Sequence, residues 1–144
     1  MRKNLLIAVT FTSLLLLQAA CDKENESAQQ SISKKLTGAS WTPVEVKRDG
    51  VNITTEYTSM RLTIGANTYS TTNGGLAWAS SGTWAFPDSS TTTTILRDNA
   101  VLINLVLSSD AKTLDMDFVI AERQYTTGRM TGLEGVYHFR FTRP

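Results

Sequence analysis

The sequence predicts an all-β domain, a small antiparallel β-barrel of about eight strands, with a β-sandwich as the alternative. Apolar and polar residues alternate with period two in several short runs, which is the pattern of strands with one buried face. Turn-forming residues, including Asp49-Gly50 and Asn73-Gly74-Gly75, separate these runs at intervals of about 8 to 12 residues, as in meanders, sandwiches and barrels. A barrel is preferred because closure leaves no exposed sheet edge.

Nine strands are expected, near residues 41–48, 51–57, 59–64, 67–72, 81–86, 91–97, 100–107, 113–120 and 135–143. The run VLINLVL, from Val101, is apolar on both faces except at Asn104 and predicts a central or covered strand. The side chains expected inside the barrel are nearly all large: Val44, Val46, Met60, Leu62, Ile64, Trp84, Phe86, Val101, Ile103, Leu105, Leu114, Met116, Phe118, Ile120, Tyr137, Phe139 and Phe141. An eight-stranded barrel has little more room than its own side chains need, so we expect a filled interior.

The amino-terminal segment has the pattern of a secretory signal. Arg2 and Lys3 precede an apolar run of 13 residues, from Leu5 to Leu17, and small residues follow it. As a helix this run would span only ~20 Å, whereas the hydrocarbon core of a bilayer is ~30 Å thick. Residues 1–20 are therefore predicted to be a signal peptide rather than a transmembrane helix.

The only cysteine of the chain follows this segment directly. The stretch LLLLQAAC, ending at Cys21, resembles the lipobox of bacterial lipoproteins, which implies cleavage before Cys21 and acylation of the cysteine, with palmitate as the expected acyl group. Stable anchoring takes two lipid signals, and a multiply acylated cysteine supplies them. With one cysteine there is no intramolecular disulfide, so the domain depends on its core.

The residues after the cysteine, CDKENES, resemble the lipoprotein export signal of Bacteroidota. In this comparison the signal residues are Lys23, Glu24 and Glu26. The resemblance implies a lipid anchor in the outer membrane with display on the cell exterior, and the periplasmic face is the alternative.

The chain is expected to have three parts: the signal peptide (1–20), the lipidated cysteine with a flexible tether (21–35), and the barrel (36–144). From Asp22 to Lys35 the only large apolar residue is Ile32, which is too little apolar surface to repay ordering. The tether is therefore predicted to be flexible.

Residues for catalysis or metal binding are scarce. His138 is the only histidine. A Ser-His-Asp triad could only be built on it, and no nucleophile-elbow motif is present. A zinc site would lack the several His or Cys ligands that it normally needs. Asp115 and Asp117 share one strand face and could form an acid–base pair or part of a calcium site, but alternating aspartates also simply keep an outer face hydrated. We expect no enzyme and no cofactor. The 14 basic and 13 acidic residues give no electrostatic reason to bind nucleic acid.

Three stretches, LTGASW, SGTWAFPD and GVYHFRFTRP, resemble the lipocalin-like domains of Bacteroidota lipoproteins. The resemblance covers nearly all of residues 36–144 and implies a lipocalin-like barrel. In lipocalins a Gly-x-Trp motif opens the barrel and a late arginine packs over the tryptophan, whereas Gly38 and Trp41 stand one residue too far apart for that motif. The resemblance therefore supplies the architecture and no ligand-contacting residues.

Two glycine-rich loops, 71–82 and 125–135, are the candidate binding surface, because ligand contacts concentrate in loops at the mouth of such a barrel. Their rim residues are Leu76, Trp78, Arg129 and Met130, and the alternative for Trp78 is that it plugs the barrel end. The predicted function is a non-enzymatic binding module for a small apolar ligand or a macromolecular partner. The alternative is a structural or interaction subunit of a surface complex.

Overall fold

Eight antiparallel strands close into a barrel, and one short additional strand pairs outside the ring. The computed structural model describes residues 26–121 and 133–144. Its elements are α1 (Ala28–Leu36), β1 (Ser40–Arg48), β2 (Val51–Asn52), a 3₁₀ turn (Thr54–Tyr57), β3 (Arg61–Ile64), β4 (Thr68–Thr72), β5 (Ser81–Ala85), β6 (Thr94–Arg97), β7 (Val101–Leu107), β8 (Thr113–Ile120) and β9 (Gly135–Thr142).

The ring closes because β1 pairs with two different strands. Its first residues pair with β3 and its longer second part pairs with β9, both antiparallel. From β3 to β9, each strand pairs with the next along the chain. The prediction of a lipocalin-like barrel is confirmed, and a sandwich is excluded because β1 closes the sheet by pairing with both β3 and β9.

The hairpin between β1 and β2 follows its sequence signal. Asp49 and Gly50 both have positive φ, 49° and 80°, which is the backbone of a two-residue hairpin turn. The expected second strand, 51–57, is correct only at Val51 and Asn52, because the 3₁₀ turn begins at Thr54.

The inner faces of the strands form the core, as the period-two pattern predicts. Thirteen residues expected inside are buried: Val46, Met60, Leu62, Ile64, Trp84, Ile103, Leu105, Leu114, Met116, Phe118, Tyr137, Phe139 and Phe141. Phe86, Val101 and Ile120 are partly buried against them. The void among the central side chains is about 10 Å³, which is about the space of one water molecule. The prediction of a filled interior is confirmed.

Val44 was expected inside the barrel, and this is wrong: its side chain is 50% exposed. The pairing of β1 with β9 shifts register between Pro43 and Glu45, and Pro43 and Val46 are both buried. A bulge adds one residue to a strand and so changes which side chains point inward. Pro43 is the sequence signal for it, because proline within a paired strand favours bulges.

The prediction of a central or covered strand for VLINLVL is correct in that β7 lies between two paired strands, β6 and β8, and wrong in that nothing within residues 26–121 and 133–144 covers its outer face. The outward residues Leu102 and Val106 of β7 are 57% and 63% exposed. In the described part of the chain no element packs over them, so β7 is an ordinary barrel strand with an unusually apolar outer face.

The flexible tether predicted for residues 22–35 is wrong from Ala28 onward, where α1 begins. A capping box starts this helix: Ser27 Oγ accepts from Gln30 N at 3.1 Å, and Gln30 Oε1 accepts from Ser27 N at 2.8 Å. The pattern Ser-x-x-Gln is a known start signal and could have identified the helix. Residues 22–25 lie outside the described residues.

Tertiary contacts hold α1 against one end of the barrel. Leu36 is fully buried and Ile32 packs against the core. Gln29 Nε2 donates to the carbonyl oxygens of Asp88 and Thr91 at 2.6 and 2.7 Å. These contacts with the barrel stabilise the helix, although the segment itself has too few apolar residues to predict an ordered structure. Over residues 26–121 and 133–144, no helix has the length and apolar character needed to cross a bilayer.

Trp41 and Arg143 close the same end of the barrel. The guanidinium carbon of Arg143 lies 4.7 Å from the ring centroid of Trp41, and Arg143 Nε donates to the carbonyl of Ala111 at 2.6 Å. Trp41 Nε1 donates to the carbonyl of Leu36 at 3.0 Å. The arrangement of a late arginine over the tryptophan of the first strand is present despite the altered spacing from Gly38.

Candidate functional site

The two ends of the barrel differ in what covers them. The helix end carries α1 together with the β3–β4, β5–β6 and β7–β8 connections. The loop end carries the 3₁₀ turn, the loop from Asn73 to Ser80 and the β6–β7 turn. The chain between β8 and β9 includes the segment 122–132, which lies outside the described residues. The predicted rim residues Arg129 and Met130 fall in that segment.

Trp78 plugs the loop end, so its predicted place on an exposed rim is wrong. Its side chain is only 4% exposed, and it packs edge-on against Tyr69, Phe118 and Phe139 at centroid distances of 5.6, 5.6 and 6.0 Å. A tight turn directs it inward: a Cβ on Gly74 would lie 2.8 Å from the Cβ of Trp78. Gly74 therefore has no room for a side chain.

Leu76 remains at the surface, as predicted. Its side chain is 63% exposed, although it lies only two residues before the buried Trp78. A large apolar side chain in water at the mouth of a filled barrel is available for contact with a ligand or a partner.

Arg97 is a buried cation that sequence reasoning missed. It is only 5% exposed, and its guanidinium carbon lies 4.5 Å from the ring centroid of Trp78 and 4.9 Å from that of Phe118. One of its terminal nitrogens donates to the carbonyl of Ala77 at 3.1 Å. Two rings and a carbonyl compensate part of the cost of burying a charge. The alternation from the inward Ile95 is the signal that places Arg97 inside.

Asp98 organises the polar side of this end. One carboxylate oxygen accepts from the Tyr69 hydroxyl at 2.6 Å, and the other accepts from the backbone N–H of Thr83 at 2.8 Å. Burial, followed by the hydrogen bond to Asp98, raises the pKa of Tyr69, so this hydroxyl stays a donor at neutral pH. Gly82 is required here, because a Cβ at that position would collide with Tyr69 and Asp98.

Tyr69, Arg97 and Asp98 line part of a depression of about 540 Å³ at the loop end. Its apolar wall includes Leu76, Ala77, Val101, Ile120 and Leu133. The volume lies within the ~300–1,000 Å³ typical of small-molecule sites. The lining also contains the charged residues Arg97, Asp98 and Glu134, so the depression has a mixed apolar and polar surface.

The acidic pair predicted from the sequence lies on the outer face, away from the depression. Asp115 accepts from Arg140 Nε at 2.7 Å, and Asp117 lies 2.8 Å from His138 Nδ1. Each carboxylate thus pairs with a residue of the neighbouring strand β9, which is a common way to stabilise a sheet. Within residues 26–121 and 133–144, no group of three or more His, Cys, Asp or Glu side chains is arranged to hold a metal ion.

The fold is a lipocalin-like barrel with a filled interior. The depression at the loop end is a surface that a ligand or partner can contact. In comparisons with protein-family models, curated proteins and solved structures, nothing matched the chain. The residues of the depression are therefore the basis for assigning a function.

Proposed function

We propose that the protein is a non-enzymatic, lipid-anchored binding module that takes a small apolar ligand at the loop end of the barrel. The anchor is the acylated Cys21, in the outer membrane with the domain facing the cell exterior. Cys21, Lys23 and Glu24 lie outside the described residues, so this part of the proposal depends on the sequence pattern alone.

The observation that supports ligand binding is the depression at the end of a filled barrel. The interior void of about 10 Å³ leaves no space for an internal ligand, whereas the depression of about 540 Å³ does. Leu76, 63% exposed at its edge, offers apolar surface that an apolar ligand would remove from water.

The test is binding of the neutral fluorescent probe N-phenyl-1-naphthylamine to the purified protein. Leu76→Ser should weaken binding about 10-fold or more, because burying a leucine side chain contributes about 1.5–3 kcal/mol and about 1.4 kcal/mol corresponds to a tenfold change in Kd. Val44→Ser is the matched control, since Val44 is 50% exposed on the outer face of β1 and should leave binding unchanged. Absence of saturable binding, or equal loss in both variants, would refute a ligand site at the loop end.

A second candidate function is that of an interaction subunit in a surface complex. The observation in its favour is a row of aliphatic side chains across the outer face near the loop end. Leu96 pairs with Leu102 and Val119 pairs with Val136, and the last three are 57%, 59% and 55% exposed. Contiguous apolar surface of this kind often marks protein contacts. Crosslinking on whole cells that depends on these residues and not on Leu76 would favour this function.

A further inference from the structure

A larger cavity lies at the helix end, independent of the proposed ligand site. It measures about 940 Å³ and lies between α1 and the chain segment 84–89. Gln29 on α1 ties the two walls together through its hydrogen bonds to the carbonyls of Asp88 and Thr91. The cavity therefore has defined walls, and its volume is at the upper end of the ~300–1,000 Å³ range of small-molecule sites.

The charged side chains that line this cavity are engaged within the protein. Lys34 Nζ lies 2.7 Å from Glu26 Oε1. Asp88 accepts four hydrogen bonds from the two residues Ser90 and Thr91, at 2.7 to 2.8 Å. These hydrogen bonds, those from Thr91 and Ser90 side chains first, lower the pKa of Asp88. An anionic ligand would meet the carboxylates of Glu26 and Asp88, and the one cation among the described lining residues, Lys34, is already paired with Glu26, so the cavity does not favour an anion.

Neutral polar groups line the rest of the cavity. Ser33 comes from α1, Asn67 from the β3–β4 connection, and Ser89 from the β5–β6 connection. The hydrogen bonds found over residues 26–121 and 133–144 do not engage these three side chains. They present one amide and two hydroxyl groups, which both donate and accept.

An aromatic surface lies among these groups. Phe86 is partly buried and stands edge-on to Trp84, with ring centroids 5.5 Å apart. Trp84 is itself fixed, because its Nε1 donates to the carbonyl of Gly65 at 3.0 Å. The partly exposed ring of Phe86 is thus held in place beside hydroxyl and amide groups.

We propose that this helix-end cavity binds a short neutral oligosaccharide. A pyranose ring carries hydroxyl groups that donate and accept, and a C–H face that packs on an aromatic ring. The cavity supplies the complementary groups in Ser33, Asn67, Ser89 and Phe86. The single lysine of its described lining, Lys34, is paired with Glu26, so this lining presents no unpaired cation that would select an anionic ligand.

The test uses the full mature protein, purified in a detergent without a sugar headgroup. Isothermal titration and ligand-observed NMR measure binding of maltotriose, cellotriose and triacetylchitotriose, with trigalacturonate as the anionic comparison. At least one neutral trisaccharide should bind saturably with a Kd of about 1 mM or lower. Asn67→Ala and Phe86→Leu should each weaken its binding about 2- to 10-fold, the effect of losing a hydrogen bond or an aromatic contact.

Two controls separate this site from the loop end and from unfolding. Leu76→Ser should leave saccharide binding unchanged, and an unchanged near-UV circular dichroism spectrum should show that Asn67→Ala and Phe86→Leu are folded. Failure of all three neutral saccharides to bind would overturn the proposal, and so would wild-type affinity in both cavity variants. Tighter binding of trigalacturonate would refute the neutral ligand class. None of these outcomes affects the proposed ligand site at the loop end.

Discussion

Truncation of Phe139 to alanine should be among the most destabilising single changes in the barrel. Phe139 is fully buried and contacts five rings, with centroid distances of 5.1 to 6.2 Å: those of Tyr57, Trp78, Phe118, Tyr137 and Phe141. Because these rings hold one another in place, they cannot move far to fill the space. The free energy of unfolding should fall by about 3–5 kcal/mol.

This prediction is tested by equilibrium unfolding in urea, followed by tryptophan fluorescence, on the chain from residue 21 with Cys21→Ser to remove the lipid. The midpoint should fall with an unchanged slope, as for a loss of stability alone. Phe118→Ala should have a similar effect, because Phe118 is 3% exposed and lies in the same cluster. Val44→Ala is the control and should change stability by about 0.5 kcal/mol or less.

A loss below about 1.5 kcal/mol for Phe139→Ala, with an unchanged slope, would contradict a tightly packed interior. It would mean that the interior relaxes or already holds solvent, and that internal ligand storage has to be reconsidered. Internal ligand storage would also have to be reconsidered if a neutral ligand stabilised the wild-type protein but did not stabilise a folded Phe139→Ala variant.

Three further predictions concern the anchor, export and one loop. Cys21→Ser should abolish acylation and move the protein out of the membrane fraction; unchanged retention without lipid mass on the mature terminus would exclude the lipid anchor. Replacing Lys23, Glu24 and Glu26 by alanine should preserve lipidation but reduce cleavage by protease added to whole cells, with Glu26→Ala alone as a control for the loss of the Glu26–Lys34 salt bridge. Hydrogen bonds from Thr91 and Ser90 lower the pKa of Asp88 in the folded protein. The ionised carboxylate therefore stabilises the loop at any pH above the ordinary aspartate pKa, and this stabilisation is lost as the pH falls through the lower pKa of the folded state. Amide NMR signals of the next three residues should therefore titrate only at strongly acidic pH, and titration near pH 4 would show that the hydrogen bonds do not persist in solution.

Most of the barrel follows from the sequence because strand formation here is governed by local pattern. Period-two alternation identified eight of the nine strands to within a few residues, since every barrel strand has one face in the core and one in water. Turn residues such as Asp49-Gly50 identified the hairpin because only certain residues adopt positive φ readily. The bulge at Pro43 and the capping box at Ser27 also have local signals in the sequence.

Other features depend on contacts between residues far apart in the chain. The sequence shows that Trp78 lies in a glycine-rich loop. Only the folded barrel shows that its ring packs against Phe118 and Phe139. Arg97 lies inside because Trp78, Phe118 and the Ala77 carbonyl surround its charge, and a lone arginine in a strand gives no sign of such partners.

The amino-terminal part shows the same division. The predicted acylation of Cys21 depends on the sequence alone, because a signal peptidase reads a short linear pattern. The capping box at Ser27 marks where a helix can start, but the few apolar residues of 28–36 do not show that the helix stays ordered, because that requires the barrel surface. Gln29 can donate to the carbonyls of Asp88 and Thr91 only when folding brings residues about 60 positions away beside it. The cavity at the helix end likewise forms only when α1 lies against the barrel. The helix is ordered because burial and hydrogen bonding between distant parts of the chain offset the entropy cost of ordering it.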